Sequence, residues 1–91
     1  MPILRVKGFE AFRMCIYTRG EHPWPHVHVK NGANEVAVIK LGSRRRLPEF
    51  DTETWTSMSK RDMRIALDLV TDNQRKLLKM WRDSRPIRRG R

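Results

Sequence analysis

The dipeptide Asn31-Gly32 constrains the fold of this chain most, because Asn-Gly is the strongest short signal for a tight β-hairpin turn. On both sides of it, apolar and polar residues alternate with a period of two, which is typical of half-buried strands. The alternating apolar positions are Val27 and Val29 before the turn and Val36 and Val38 after it. The sequence therefore predicts an antiparallel hairpin over residues 26–41.

Two registers are open for this hairpin. A two-residue turn pairs His28 with Glu35, whereas a four-residue turn through Asn34 pairs His28 with Ala37. In either register the valines are expected to share one face of the hairpin, with the histidines on the opposite face. The register decides which side chains can approach His28.

The C-terminal third predicts helix. Ser59 and Asp62 have the spacing of a capping box, and Pro86 ends the segment. Behind the cap, apolar residues recur at helical spacing: Met63, Ala66, Leu67, Val70, Leu77, Leu78 and Trp81. This pattern predicts one helix of roughly two dozen residues, or two helices with a break near residues 71–73.

Together these elements predict an α+β fold: a small antiparallel curved sheet of three or four strands with a C-terminal helix packed on one face. Alternation over residues 3–6 and 9–17 supplies the other strands. The face that carries Val27, Val29, Val36 and Val38 is expected to meet the helix. At 91 residues, we expect one domain over residues 1–84 and a basic flexible tail over residues 85–91.

The charge of the chain indicates its class of partner. Lys and Arg number 20 against 10 Asp and Glu, which gives a formal net charge of +10. Such an excess attracts polyanions, so we expect nucleic acid or an acidic partner protein. The alternative is a basic protein whose charge only keeps it monomeric.

Cysteine content and hydropathy indicate the expected cellular location of the protein and limit the kinds of site that it can contain. Cys15 is the only cysteine, which excludes an internal disulfide and a cysteine-based zinc module. No apolar run has the length of a signal peptide or a membrane span. We therefore expect a cytoplasmic protein without membrane contact. A second copy of the chain is a further candidate partner, because a core of this size leaves little stability to spare.

All three histidines lie within seven positions of one another. Strand geometry puts His26 and His28 on the same face, with Cα atoms roughly 6.5–7 Å apart, so that their rings can converge on one ion. His22, on the proline-rich leader, is a third candidate, and all three are candidate catalytic residues. His26, His28 and Glu35 are candidate ligands of a divalent metal. The alternative is that these histidines are hydrogen-bonding pieces of a turn.

Basic and aromatic side chains form the other candidate surfaces. On a single helix, one narrow arc would carry Arg61, Arg64, Arg75, Lys79 and Arg82. A loop adds Arg44, Arg45 and Arg46. These residues are candidates for contact with a phosphate backbone, and the alternative is an ordinary solvated face. Trp24 is a candidate for stacking on a base, for anchoring in a partner or for covering the end of the sheet.

The segment from Glu21 to His28, an acidic residue followed by His-Pro-x-Pro-His-x-His, resembles the hallmark of the bacterial family called domain of unknown function 4160. The resemblance covers about residues 2–83 and includes Gly8-Phe9, Met14, Tyr17, Ala37 and Leu77 to Trp81. Trp24 stands where family members often carry another proline. The resemblance implies pairing with a second small protein, similar to toxin–antitoxin operons, and a regulatory or toxin-like role. It marks His22, His26 and His28 as functional candidates without assigning their roles.

Two functional hypotheses follow from these observations. The leading one is a small basic binding module that contacts nucleic acid or an acidic partner protein, within a toxin–antitoxin-like pair. The alternative is a small nuclease in which His22, His26 or His28 act as general acid or base or hold a divalent metal. A structural subunit with incidental charge is a third possibility.

Overall fold

The computed structural model describes residues 2–16, 24–32, 35–52 and 56–84. Within these ranges the chain forms one five-stranded antiparallel sheet and two helices. The strands are β1 (Ile3–Leu4), β2 (Phe12–Cys15), β3 (His26–Asn31), β4 (Glu35–Lys40) and β5 (Glu49–Phe50), and the helices are α1 (Lys60–Asp72) and α2 (Gln74–Ser84). The strands are hydrogen-bonded to one another in chain order.

The predicted α+β class, with an antiparallel sheet and C-terminal helical structure, is confirmed. The strand expected from residues 3–6 is present as β1, and the described sheet has a fifth strand beyond the three or four expected, because β5 is only two residues long. Two residues are too few to show the alternation by which a strand is recognised in a sequence. The predicted tail over residues 85–91 lies outside the described ranges.

The hairpin of β3 and β4 forms in neither of the two expected registers. Asn31 pairs with Glu35, so three positions of the sequence separate the last paired residues of the hairpin. His28 is consequently opposite Val38, and the expected pairing of His28 with Glu35 or Ala37 is wrong. Gly32 adopts a φ of 76°, and a left-handed residue is a regular component of three-residue hairpin loops.

The register also changes which side chains face the core. The core face of the hairpin carries Val27, Val29, Ala37 and Ile39. Val27 is opposite Ile39, and Val29 is opposite Ala37. Val36 and Val38 pair with Lys30 and His28 and therefore lie on the other face. The expected face of four valines is thus wrong for Val36 and Val38, because a one-residue shift in register exchanges the two faces of a strand.

The core lies between this sheet face and the helices. Its helical side consists of Ala66, Leu69 and Val70 from α1 and Leu77 from α2, and Met63, Leu67, Leu78 and Trp81 pack at its margin. The apolar face predicted for the helix therefore does meet the sheet. Leu77 is fully buried, and burial of a side chain of this kind contributes about 1.5–3 kcal/mol to stability.

The helical segment is divided at Asn73. Ser59 caps α1 by accepting a hydrogen bond from the Asp62 backbone N–H at 3.1 Å, as the capping box predicts. At the far end, the Asn73 side-chain amide donates to the Leu69 carbonyl at 2.8 Å. Asparagine favours helix ends because its side chain competes for backbone partners, and the two-helix alternative is the one observed. Neither helix of the described chain is long and apolar enough to cross a membrane.

A tight turn over residues 43–46, called here the basic turn, follows β4. The Ser43 N–H donates to the Arg46 carbonyl at 3.0 Å, and the Arg46 N–H donates back to the Ser43 carbonyl at 3.2 Å. Gly42 leads into the turn with a φ of 73°. A Cβ atom at Gly42 would overlap the Arg46 carbonyl oxygen, so both backbone conformation and space require glycine there.

Replacing Gly42 is therefore expected to destabilise the protein more than replacing Gly32. A left-handed backbone costs a residue with a Cβ roughly 1–2 kcal/mol, and Gly42→Ala adds the overlap with Arg46. We expect Gly42→Ala to lower the free energy of unfolding by at least about 2 kcal/mol in urea titrations. Gly32→Ala is the matched control, since Gly32 has a similar φ but nothing within 4 Å of the added Cβ. Equal losses in the two variants would contradict the role of Gly42 in the turn.

Candidate nucleic-acid interface

One glutamine side chain holds the basic turn against the helical layer. The Gln74 Nε2 atom lies 2.7 Å from the Leu41 carbonyl oxygen and 2.9 Å from those of Ser43 and Arg46. An amide NH₂ group has two hydrogens, so Gln74 shares them among three acceptors. Because Gln74 is the first residue of α2, these bonds fix the turn beside the start of that helix.

Five basic residues come together at this junction. Arg44, Arg45 and Arg46 are exposed in the turn, and Arg75 and Lys76 are exposed directly after Gln74. These five residues are called here the basic cluster. The sequence supplied the arginines of the turn and Arg75 as separate candidates, and the structure brings them to one end of the sheet. Lys76 was not among the candidates, because it falls outside the arc drawn for a single helix.

The other helical candidates are distributed differently from the expected arc. Arg61, Arg64 and Arg82 are exposed, but the break at Asn73 separates α1 from α2, so one continuous stripe does not form. The side chain of Asn31 donates to Asp62 at 2.9 Å, which places the start of α1 at the hairpin connection. Arg61 therefore lies at the opposite end of the sheet from Gln74.

Lys79 already has an acidic neighbour. Its ammonium lies 2.6 Å from the Asp83 carboxylate, one helical turn further along α2, and both side chains are exposed. This hydrogen bond holds the pKa of Asp83 below its usual range. The charge of Lys79 is thus offset locally, and an exposed pair of this kind contributes little to stability.

Of the three candidate histidines, the structure describes His26 and His28, and it places them on the same sheet face as predicted. His26 is 2% exposed, and its Nδ1 lies 3.2 Å from the Trp24 carbonyl oxygen. A carbonyl only accepts, so this bond requires the proton on Nδ1. The Trp24 ring meets the His26 ring edge to face at a centroid distance of 5.2 Å. His26 therefore packs and hydrogen-bonds as part of the fold.

The metal prediction depends partly on atoms outside the described structure. The His28 ring centroid is 5.3 Å from that of His26, but the described residues contain no group of three or more metal-ligating side chains. The backbone of Glu35 is opposite Asn31 instead of His28. His22 and the side chain of Glu35 lie outside the description, so metal binding and histidine catalysis stay predictions.

A cavity of about 400 Å³ opens beside the basic turn. Its lining includes Trp24, Pro25, Lys40, Arg46, Leu47 and Glu49, and it is called here the Trp24 cavity. The Leu41 N–H donates to the Pro25 carbonyl at 3.0 Å, which fixes the segment of Trp24 beside the end of β4. The Lys40 ammonium lies 5.1 Å from the centroid of the Trp24 ring.

Sequence reasoning found Trp24, the arginines of the turn and Arg75, but it missed Lys40, Glu49 and Gln74 at this end of the sheet. Lys40 and Glu49 face each other on β4 and β5, and β5 was too short to predict. Gln74 did leave a signal, since it is the one polar residue that interrupts the apolar face of the predicted helix. A polar interruption of this kind indicates a side chain with buried partners to satisfy.

The chain matches a known family of proteins. The sequence profile of a family described as Domain of unknown function (DUF4160) matches residues 11–82. No curated protein and no solved structure matches the chain.

Loss of the Gln74 amide is expected to loosen the basic turn. Gln74→Ala leaves the Leu41 carbonyl without this part-buried donor, which costs about 1–3 kcal/mol, whereas the Ser43 and Arg46 carbonyls keep their backbone donors. We expect a loss of that size in the free energy of unfolding and faster exchange of the Arg46 amide hydrogen. Lys79→Ala is the control, because it removes only the exposed ion pair with Asp83 on the same helix. It should change the free energy of unfolding and the exchange rate of the Arg46 amide little. An unchanged exchange rate in Gln74→Ala would show that the turn holds without this anchor.

The two described histidines are expected to differ in their structural role. His26→Ala removes a buried ring and its bond to the Trp24 carbonyl, so we expect a loss of about 2–3 kcal/mol in chemical denaturation. His28 is half-buried, and His28→Ala should cost less. If His28→Ala were the more destabilising change, the assignment of His26 as the packed residue would be wrong.

Proposed function

The chain belongs to the family described as Domain of unknown function (DUF4160), and from the contacts described above we propose that it binds nucleic acid through the basic cluster. The observation that supports this proposal is the set of three hydrogen bonds from Gln74, which joins the arginines of the turn to the basic start of α2. The binding surface is thus built by the fold and does not consist of scattered surface charges.

The backbone that carries these arginines is fixed before any ligand arrives. Two backbone hydrogen bonds close the turn, Gly42 fits beneath it and Gln74 holds it to α2. A surface ordered in advance loses less conformational entropy on binding. Arginine suits phosphate in particular, because its planar guanidinium donates two parallel hydrogen bonds to one phosphate group.

Charge supports a polyanion with regularly spaced phosphates. The basic cluster contains five cationic residues. The acidic residue nearest to Gln74 in the sequence is Asp72. The chain as a whole adds a net charge of +10, which raises the rate of association with an anionic strand. Contacts to phosphates position a protein without reading bases, so the basic cluster is proposed to bind independently of sequence.

Binding to a nucleic acid should weaken steeply with salt. If about four phosphates are neutralised, the logarithm of the association constant for a duplex falls with the logarithm of salt concentration with a slope of about −3 to −4. Replacing Arg44 and Arg45 together by glutamine should make that slope shallower by about 2 and weaken binding at low salt. Fluorescence anisotropy of a labelled duplex over a salt series measures both effects.

A matched control is available at the opposite edge of the sheet, next to strand β1. Arg5 and Lys7 follow β1 and are exposed, and β1 is three strand positions from β4, roughly 14 Å away across the sheet. The double change of Arg5 and Lys7 to glutamine removes the same charge and should leave the slope nearly unchanged. Equal effects of the two double variants would refute a localised site. Absence of binding at low salt, or tighter binding of an acidic polypeptide, would refute the proposal itself.

The remaining expectations stay predictions. They are the histidine-dependent nuclease with or without a divalent metal, the toxin–antitoxin-like pairing, the second copy of the chain as partner and the cytoplasmic location. Among these, the nuclease is expected to use His22, His26 or His28, and of these His26 also packs on Trp24. A nuclease assay on His28→Ala tests it separately from binding.

A further inference from the structure

We propose that the Trp24 cavity receives an unpaired base of a single-stranded nucleic acid whose phosphates lie on the basic cluster. This inference rests on the proposed function and makes it more specific, since it names single strands as the preferred ligand. Arg46 supplies the connection, because it belongs to the basic turn and also lines the cavity. A strand held by its phosphates on the turn thus passes the mouth of the cavity.

The size and apolar lining of the cavity suit a flat aromatic group. About 400 Å³ lies within the range of roughly 300–1,000 Å³ that is usual for pockets that hold small ligands. The Trp24 indole and the Pro25 ring provide flat apolar surface, and Leu47, which is 74% exposed, stands at the rim. Every base has a π face that can stack on an aromatic side chain, so this contact tolerates any sequence.

The polar residues of the cavity favour a base over an acidic side chain. Lys40 and Glu49 are directly paired across β4 and β5, and both line the cavity. The Lys40 ammonium can donate to base carbonyl or phosphate oxygens, and the Glu49 carboxylate can accept from the amino group of a base. The same carboxylate repels the side chains of an acidic peptide. A cavity with both signs of charge therefore matches the mixed donors and acceptors of a base.

Base pairing decides which nucleic acid can use this cavity. In a duplex the bases are stacked and paired, and extruding one costs a few kcal/mol. In a single strand the bases can turn outward, so the cavity contact adds to the phosphate contacts. The geometry thus predicts that single strands bind more tightly than duplexes of the same length, with RNA and DNA both able to supply the base.

The test compares four probes over the same salt series with the full chain. They are single-stranded RNA, single-stranded DNA, duplex DNA and an abasic DNA strand, each of about 12 nucleotides. The abasic strand keeps the phosphates and lacks the bases. We expect the two base-containing single strands to bind more tightly than the other two probes. Trp24→Ala should weaken only those two, by roughly 5- to 150-fold, with the salt slope retained.

A second variant guards against loss of folding, because Trp24 also packs on His26. Leu47→Ala changes a largely exposed residue at the cavity rim, and we expect a loss of about two- to fivefold for base-containing single strands alone. Ile3→Ala is the matched control, since Ile3 is an exposed apolar residue on β1 at the far edge of the sheet, and it should have no effect.

The possible failures are distinguishable. If all four probes bind equally and neither Trp24→Ala nor Leu47→Ala discriminates among them, the cavity inference is wrong while nucleic-acid binding stands. If none of the probes binds at low salt, the proposed function itself is wrong. If polyglutamate binds in their place and Leu47→Ala weakens it, the cavity serves an acidic protein instead. A difference between the RNA and DNA strands would identify the source of the base.

Discussion

The Gln74 side chain is the interaction on which the rest of this end of the molecule depends. A single amide satisfies backbone carbonyls from the end of β4 and from both ends of the basic turn, while its own backbone begins α2. Without this amide the Leu41 carbonyl would lose a part-buried donor, and an unsatisfied polar group away from water is costly. Sheet, turn and second helix therefore share one anchor, and the positions of the surrounding charges follow from it.

This anchoring explains why the molecule has two different ends. At the hairpin end, Asn31 is bonded to Asp62, and an acidic group stands near the first basic residues of α1. At the other end, the arginines of the turn meet Arg75 and Lys76 beside the Trp24 cavity. The division of the helices at Asn73 is part of this arrangement, because it brings the start of α2 to the turn.

Local patterns predicted much of the fold, and pairings between distant residues account for most of what they missed. The capping box at Ser59, the apolar helix face and the alternation on β3 each lie within a few residues, where period and propensity operate directly. The hairpin register was missed because Asn-Gly fits loops of more than one length, and one residue of difference moved Val36 and Val38 to the other face. Lys40, Glu49 and Gln74 come together only through long-range contacts, which no local pattern encodes. The histidines show another limit of local patterns. Their clustering in the sequence suggested chemistry, but it did not reveal that His26 is buried in the fold.

The two-residue strands at the margins of the described sheet have a consequence for how this protein behaves at high local concentration. A sheet margin with a long row of unpaired backbone groups is a template on which another chain can add a strand, and assemblies grow from such margins. β1 and β5 offer that template over two residues each. Many copies crowded along one polyanion would thus meet mainly through like-charged surfaces, and growth of an intermolecular sheet would be disfavoured. Under the proposed function, short margins and a basic surface together would allow dense coating of a strand without precipitation.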